Sequence, residues 1–282
     1  MRDPSSTSPG RAADRPTPLL IASLAVHAAA LPAVALAPHR WPWIAGAVVA
    51  DHLSLVAAGM LPRCALLGPN LRRDPAAAAA GAVALTFDDG PDPAVTPAVL
   101  DLLDRHGARA SFFCVGARVD AHPDIAAEIV RRGHGVENHT QTHPGGFFFH
   151  LPGRLDRELA LCQEAVARAT GTTPRLFRAP AGVRSPLLAP ALARRGLALA
   201  SWTRRGFDTV SRDASAVGRR LSRGVAAGDI CSFTTARARE RCRSSSRRSL
   251  CCSRRCAGRG FPRPRWGPPP RAPSLDNASA HR

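Results

Sequence analysis

Lysine and tyrosine are absent from this 282-residue chain, and all 39 basic residues are arginine. A GC-rich genome produces that bias through its codons, so the arginine content alone carries no functional message. The formal charge of +18 is also unevenly spread: residues 231–282 hold 13 Arg against Glu240 and Asp276, which puts +11 there and +7 on residues 1–230. A body this mildly basic excludes reading the bulk of the chain as a nucleic-acid binder. A disulfide framework is missing too. Five of the eight cysteines (Cys231, Cys242, Cys251, Cys252, Cys256) crowd into the Arg-rich tail, while Cys64, Cys114 and Cys162 are scattered. Reduced thiols are expected, with Cys114 buried in a strand.

A local absence is as informative. Residues 1–16 are Pro/Ser-rich with Arg2, Arg11 and Arg15, which reads as a disordered basic tail, but from Thr17 to Ala37 there is no Asp, Glu or Arg. That run is long enough to cross a hydrocarbon core of ~30 Å as a helix. A second apolar run, Trp43–Leu61, contains Asp51 and His52. An acid at mid-membrane costs roughly 2.5–3.5 kcal/mol on insertion scales, so this run is the weaker candidate. Residues 17–62 are therefore expected to form a membrane anchor of one or two transmembrane helices. Ala35-Leu36-Ala37 has the small-x-small pattern of a signal-peptide cleavage site, but the apolar stretch exceeds the usual signal core of about 7–15 residues, which favours an uncleaved anchor. Positive-inside counting puts the remainder of the chain in the cytoplasm if both runs span, and outside if only the first does.

After a linker over 63–81, the pattern changes to short apolar runs alternating with amphipathic segments. Strands are predicted at Val83–Phe87, Ser111–Val115, Leu176–Phe177 and Leu197–Trp202. Helices are predicted at Thr96–His106, Pro123–Arg132, Leu155–Ala169 and Pro186–Arg195, with prolines at starts and glycines just past ends. Repeated strand–helix units favour an α/β fold, a parallel sheet or barrel whose functional groups project from the carboxyl ends of its strands.

Four features carry chemistry. Thr86-Phe87-Asp88-Asp89-Gly90-Pro91 ends a strand with two carboxylates, one suited to a cation and one to taking a proton from water, although an acidic helix-capping turn has the same composition. His139-Thr140-Gln141-Thr142-His143 places two imidazoles at i, i+4, on one face if the segment is helical. With a strand-end Asp they make a His₂-carboxylate set with open positions on Zn²⁺ or a similar ion. Phe177-Arg178-Ala179-Pro180-Ala181-Gly182 offers a guanidinium able to orient a carboxylate. Ser201 to Asp208 supplies an aromatic platform, Trp202, and an acid, Asp208, that would pair with Arg178 or a sugar hydroxyl.

In this order and approximate spacing, and with Gly133-His134-Gly135-Val136-Glu137-Asn138 leading into the His pair, the features resemble the polysaccharide deacetylase family, carbohydrate esterase family four. The resemblance covers residues 82–230. It implies a distorted (β/α) barrel that hydrolyses N-acetyl groups from an amino-sugar polymer or oligomer, with an N-acetylated glycan as substrate. It implies Asp88 as base, Arg178 as its orienting partner, and Asp89, His139 and His143 as ligands of a divalent metal, Zn or alternatively Co or Ni. The Ala181 N–H becomes the second oxyanion donor, where family members commonly have Tyr, and Trp202 and Asp208 fall on the substrate side. The substrate class favours an extracytoplasmic domain.

The resemblance breaks after Gly228-Asp229-Ile230. The family's last motif, a strand whose His protonates the departing amine, is replaced by Cys231-Ser232-Phe233-Thr234-Thr235-Ala236 and an Arg/Ser/Cys-rich tail without helical or strand periodicity. Read one base earlier, the codons of those six residues are compatible with Leu-Leu-Leu-His-Asp-Gly. The expectation is an out-of-frame, disordered segment over 231–282, a lost final strand, no general-acid His in frame and no nucleic-acid partner.

Overall fold

The computed structural model describes residues 16–208, 211 and 213–235. The basic tail before residue 16 and the Arg-rich segment from residue 236 lie outside the described residues.

The helices are α1 (Pro18–Leu36), α2 (Trp41–Met60), α3 (Pro75–Ala79), α4 (Thr96–Arg105), α5 (Gly116–Ala121), α6 (Pro123–Arg131), α7 (Pro152–Thr170), α8 (Leu188–Arg194) and α9 (Ala214–Ser222). The strands are β1 (Ala84–Gly90), β2 (Ala110–Cys114), β3 (Gly135–Asn138), β4 (Leu176–Phe177), β5 (Ala198–Leu199), β6 (Arg204–Arg205) and β7 (Ile230–Thr234). All seven pair in parallel in the order β5-β4-β3-β2-β1-β7-β6, a curled half-barrel. The α/β expectation and the four predicted helices are met to within a few residues at each end. Helix α7 stops where Gly171 takes φ 67, a conformation that a Cβ would strain.

The sheet is covered by helices whose apolar stripes it buries. Leu100 and Leu103 of α4, Ala126 and Ile129 of α6, and Cys162, Ala165 and Val166 of α7 pack on Phe112, Cys114 and Val136. Full burial of a residue such as Ile129 or Val166 is worth about 1.5–3 kcal/mol. A second cluster joins Leu155 and Leu159 to Phe177, Leu188, Leu192 and Leu199.

Three expectations are corrected. Residues 63–81 are not a free linker. The Leu71 N–H donates to Leu199 O at 2.8 Å, the Ser201 N–H donates to Leu71 O at 2.9 Å, and two residues on Arg73 bridges Asp229 beside β7. One short segment thus ties both sides of the curl together, and Leu67 and Ala77 are buried by doing so. The final strand is present: β7 pairs with β1 from Ile230 to Thr234, so the folded unit runs past residue 230. Main-chain pairing does not require the family's side chains, and Phe233 stacks on Phe87 at 5.2 Å, which in turn stacks on Phe112 at 5.1 Å, a cross-strand ladder over β7, β1 and β2. The predicted strand Leu197–Trp202 is cut to Ala198–Leu199 because its later residues turn to meet Leu71. β3 was legible only as supporting text and not as a strand.

By length and composition α1 and α2 can cross a membrane, with mean hydropathy 2.2 for residues 18–36 and 1.5 for 38–60. They pack side by side and leave Leu24, Leu31, Leu36, Trp43 and Leu53 exposed. The carboxyl end of α2 meets the barrel: Arg184 N–H donates to Gly59 O at 3.0 Å, and a Cβ on Gly59 would overlap Phe148.

Candidate metal centre and active site

In a regular strand, adjacent side chains point to opposite faces. At the end of β1 the register against β2 slips between Asp88 and Gly90, and Asp89 takes φ 66, a left-handed conformation that Asp tolerates better than most residues. Both carboxylates therefore reach the carboxyl end of the sheet, each with its own partners.

Asp89 Oδ1 lies 3.3 Å from His139 Nε2 and 3.1 Å from His143 Nε2. His139 follows β3 directly, with Nδ1 2.7 Å from the Arg178 carbonyl oxygen. A carbonyl only accepts, so Nδ1 carries a proton and Nε2 is the ring nitrogen turned toward Asp89. The segment that holds the two imidazoles is a loop and not the helix on which an i, i+4 pair would share a face: Thr140 has φ 68 and His143 φ 50. Local side-chain bonds compete with helix here. Asn138 Oδ1 accepts from Thr140 N–H at 2.9 Å, Thr140 Oγ1 from His143 N–H at 3.0 Å, and the Glu158 carboxylate from Thr142 N–H and Oγ at 2.9 and 2.8 Å. The rings end 5.0 Å apart.

Burial pushes the Asp89 carboxyl up, but hydrogen bonds and charges from His139 and His143 outweigh it and hold the group well below the usual carboxylate range. The same hydrogen bond to Asp89 raises His143. One carboxylate and two imidazoles, with ligand atoms within 4.8 Å of one another and one ring fixed by an outer carbonyl, fit a divalent cation of borderline softness.

Asp88 sits beside this set. Its Oδ1 accepts from Arg178 Nη1 at 2.6 Å and its Oδ2 from Ser232 Oγ at 2.9 Å. Arg178 is 1% exposed. It also donates to Thr86 Oγ1 at 2.7 Å, Ser201 O at 3.0 Å and Ala200 O at 3.3 Å, and it lies 4.0 Å over the Phe113 ring. Burial lowers its pKa, opposed by the charge of Asp88.

The remaining expected residues sit around this centre. Ala181 is exposed in a turn at φ 54. Trp202 is 8% exposed; it is packed so closely on Gly182 that a Cβ there would overlap it, and Arg205 lies 4.8 Å over the ring. The ring is packed into the fold and is not a free-standing platform. Asp208 Oδ2 accepts from Thr234 N–H at 2.7 Å and so pins its loop to β7, while Arg178 pairs with Asp88. On β7, Thr234 is the register partner of Asp88, the place the expected His would take. Sequence reasoning missed Ser232, Thr86, Glu158 and Arg118, whose Nη1 donates to Asp89 O at 2.7 Å. Each acts through a contact between residues far apart in the chain.

The polysaccharide deacetylase family model matches residues 76–200. A chitooligosaccharide deacetylase of Bradyrhizobium is 38% identical over 122 residues, 43% of this chain and 55% of that protein. Peptidoglycan-N-acetylglucosamine deacetylase PgdA of Listeria monocytogenes is 33% identical over 148 residues, 52% of this chain and 31% of that protein. The family 4 carbohydrate esterase of Streptomyces lividans, solved with acetate, superposes with a TM-score of 0.53 at 32% identity, covering 55% of this chain and 79% of that one. The chain belongs to the polysaccharide deacetylase family, carbohydrate esterase family 4. It spans about half the length of the Bradyrhizobium relative and a third of the Listeria one.

Proposed function

We propose that this protein is a metal-dependent deacetylase that hydrolyses N-acetyl groups on an amino-sugar polymer or oligomer, with a general acid missing from its machinery. The carrying observation is the buried Asp88–Arg178 ion pair at 2.6 Å, set directly beside the Asp89, His139 and His143 cluster. When bound, a divalent cation, Zn²⁺ or alternatively Co²⁺ or Ni²⁺, would polarise the acetamide carbonyl and acidify a water. Asp88 takes the proton of the attacking water, and Arg178 and Ser232, each on one of its oxygens, keep the carboxylate from rotating away. The Ala181 N–H donates to the developing oxyanion. Trp202 and Asp208 shape the substrate side, Trp202 as a wall and Asp208 by holding its loop to β7. Thr234 offers nothing acidic near neutral pH, so the departing amine takes its proton back from Asp88 or from water.

A second reading, a metal- or glycan-binding remnant without turnover, is favoured by the threonine at the register position facing Asp88. The apolar faces of α1 and α2 support a membrane anchor, with the barrel at the bilayer surface by the carboxyl end of α2. Acetate release from N-acetylated chitooligosaccharide and from peptidoglycan, with metal content determined on the same sample, separates the readings. Acetate release supports the deacetylase. Full metal loading with none on either substrate leaves the remnant.

A further inference from the structure

A second set of two imidazoles and a carboxylate lies in the helical hairpin. Near the middle of α1 and α2, His27, Asp51 and His52 each bring a ligand atom within 4.8 Å of the others. The His27 and His52 rings are 5.0 Å apart, the same separation as His139 and His143.

The hydrogen bonds around this cluster occupy one nitrogen of each ring. Nδ1 of His27 is 2.8 Å from the Ser23 carbonyl oxygen, and Nδ1 of His52 is 2.8 Å from that of Val48. Both carbonyls can only accept, so both Nδ1 atoms are donors and Nε2 is the nitrogen left on each ring for an ion. Outer carbonyls fix the tautomer of metal-ligating histidines in this way, as the Arg178 carbonyl does for His139. The Asp51 side chain is 8% exposed and accepts from Ser23 Oγ at 2.7 Å, with His27 Nδ1 3.8 Å from Oδ2. A carboxylate midway along two apolar helices is costly while uncompensated. A divalent cation held between Asp51 and the two imidazoles would neutralise it.

We infer that His27, Asp51 and His52 form a second divalent-cation site, for Zn²⁺ or a similar borderline ion, that clips α1 to α2. It shares no residue or element with the catalytic cluster and does not rest on the proposed activity.

The test is a metal count on the full chain in detergent micelles, equilibrated with Zn²⁺ and then dialysed. Two ions per chain are expected, falling to one in His27→Ala/His52→Ala and to one in His139→Ala/His143→Ala. A single ion that survives loss of the hairpin pair and disappears with the His139 pair overturns this site and leaves the catalytic assignment standing. A single ion lost with the hairpin pair supports this site and sinks the catalytic ligands; no ion at all overturns both. Because the double variant also removes contacts between the helices, the His139→Ala/His143→Ala chain is loaded with Co²⁺ as well. Its visible ligand-field absorption should vanish on adding Asp51→Asn, which nearly preserves side-chain shape. Absence of such bands before that substitution overturns the proposal.

Discussion

On the β1, β3 and β4 side of the site, chemistry and scaffold are interlocked. Asp89 reaches both histidines, His139 leans on the Arg178 carbonyl, and Arg178 spends donors on Asp88, Thr86, Ala200 and Ser201. On the β7 side the scaffold persists with part of the chemistry missing: the strand pairs with β1 in register through Thr234 and Ser232 donates to Asp88, yet the residue in register with Asp88 is a threonine. Pairing is a main-chain property and tolerates replacement of side chains, whereas proton donation needs one residue type at one position. A fold and its ligand cluster can therefore outlast one catalytic group.

The largest effect should come from the interlocked side. His139→Ala/His143→Ala is expected to remove the metal bound between Asp89 and β3 and to abolish acetate release, read as metal content and end-point acetate on the same preparation. Retained activity would break the comparison, because that half would then not be the working one.

Thr234→His tests the other side. A positioned proton donor contributes roughly 10²- to 10⁴-fold, so turnover should rise by about that factor in an initial-rate assay. Asp88 and Thr234 are register partners, which puts the new imidazole next to the base without a change of backbone. No gain over the parent chain would mean that β7 lacks more than one side chain.

Arg178→Ala comes next. Breaking a buried ion pair by removing one partner costs about 3–5 kcal/mol, since Asp88 would be left charged and desolvated. Urea unfolding should show the loss, and Arg178→Leu/Asp88→Leu should recover much of it while remaining inactive. Equal stabilities for the single and double variants would show that the pair matters through packing of the Arg178 stem on Phe113, not through charge.

What was legible in the sequence follows the same division. The strand ends with Asp88, Asp89 and Arg178 could be read because parallel strands announce themselves as short apolar runs closed by turn residues. The His139–His143 geometry was not, since it depends on left-handed residues and on Asn138 and Glu158, the latter on a helix 16 residues beyond Thr142. Residues 63–81 looked like a linker because bridging both sides of a curled sheet leaves no periodic trace. The strand at Ile230–Thr234 was discounted because its identities departed from the family, although Ile230 and Phe233 are good strand formers.

The smallest expected effect concerns a residue common to both readings of the protein. His134 is buried beneath Phe112, 5.8 Å ring to ring, and neither ring nitrogen has a hydrogen-bond partner among the described residues. Burial, helped by the charge of Arg109, lowers its pKa to about 4. A histidine depressed on folding is neutral in the native state while the unfolded chain takes up a proton below its ordinary value near 6.5. Its contribution is thus intact above pH 6.5 and is lost as pH falls toward 4, with a slope of at most about 1.4 kcal/mol per pH unit for one proton. His134→Phe should flatten that limb of the stability curve by close to one proton while leaving metal content unchanged. If the limb keeps its slope, acid sensitivity resides in other groups, and the two sides of the site can be compared at low pH without correcting for His134.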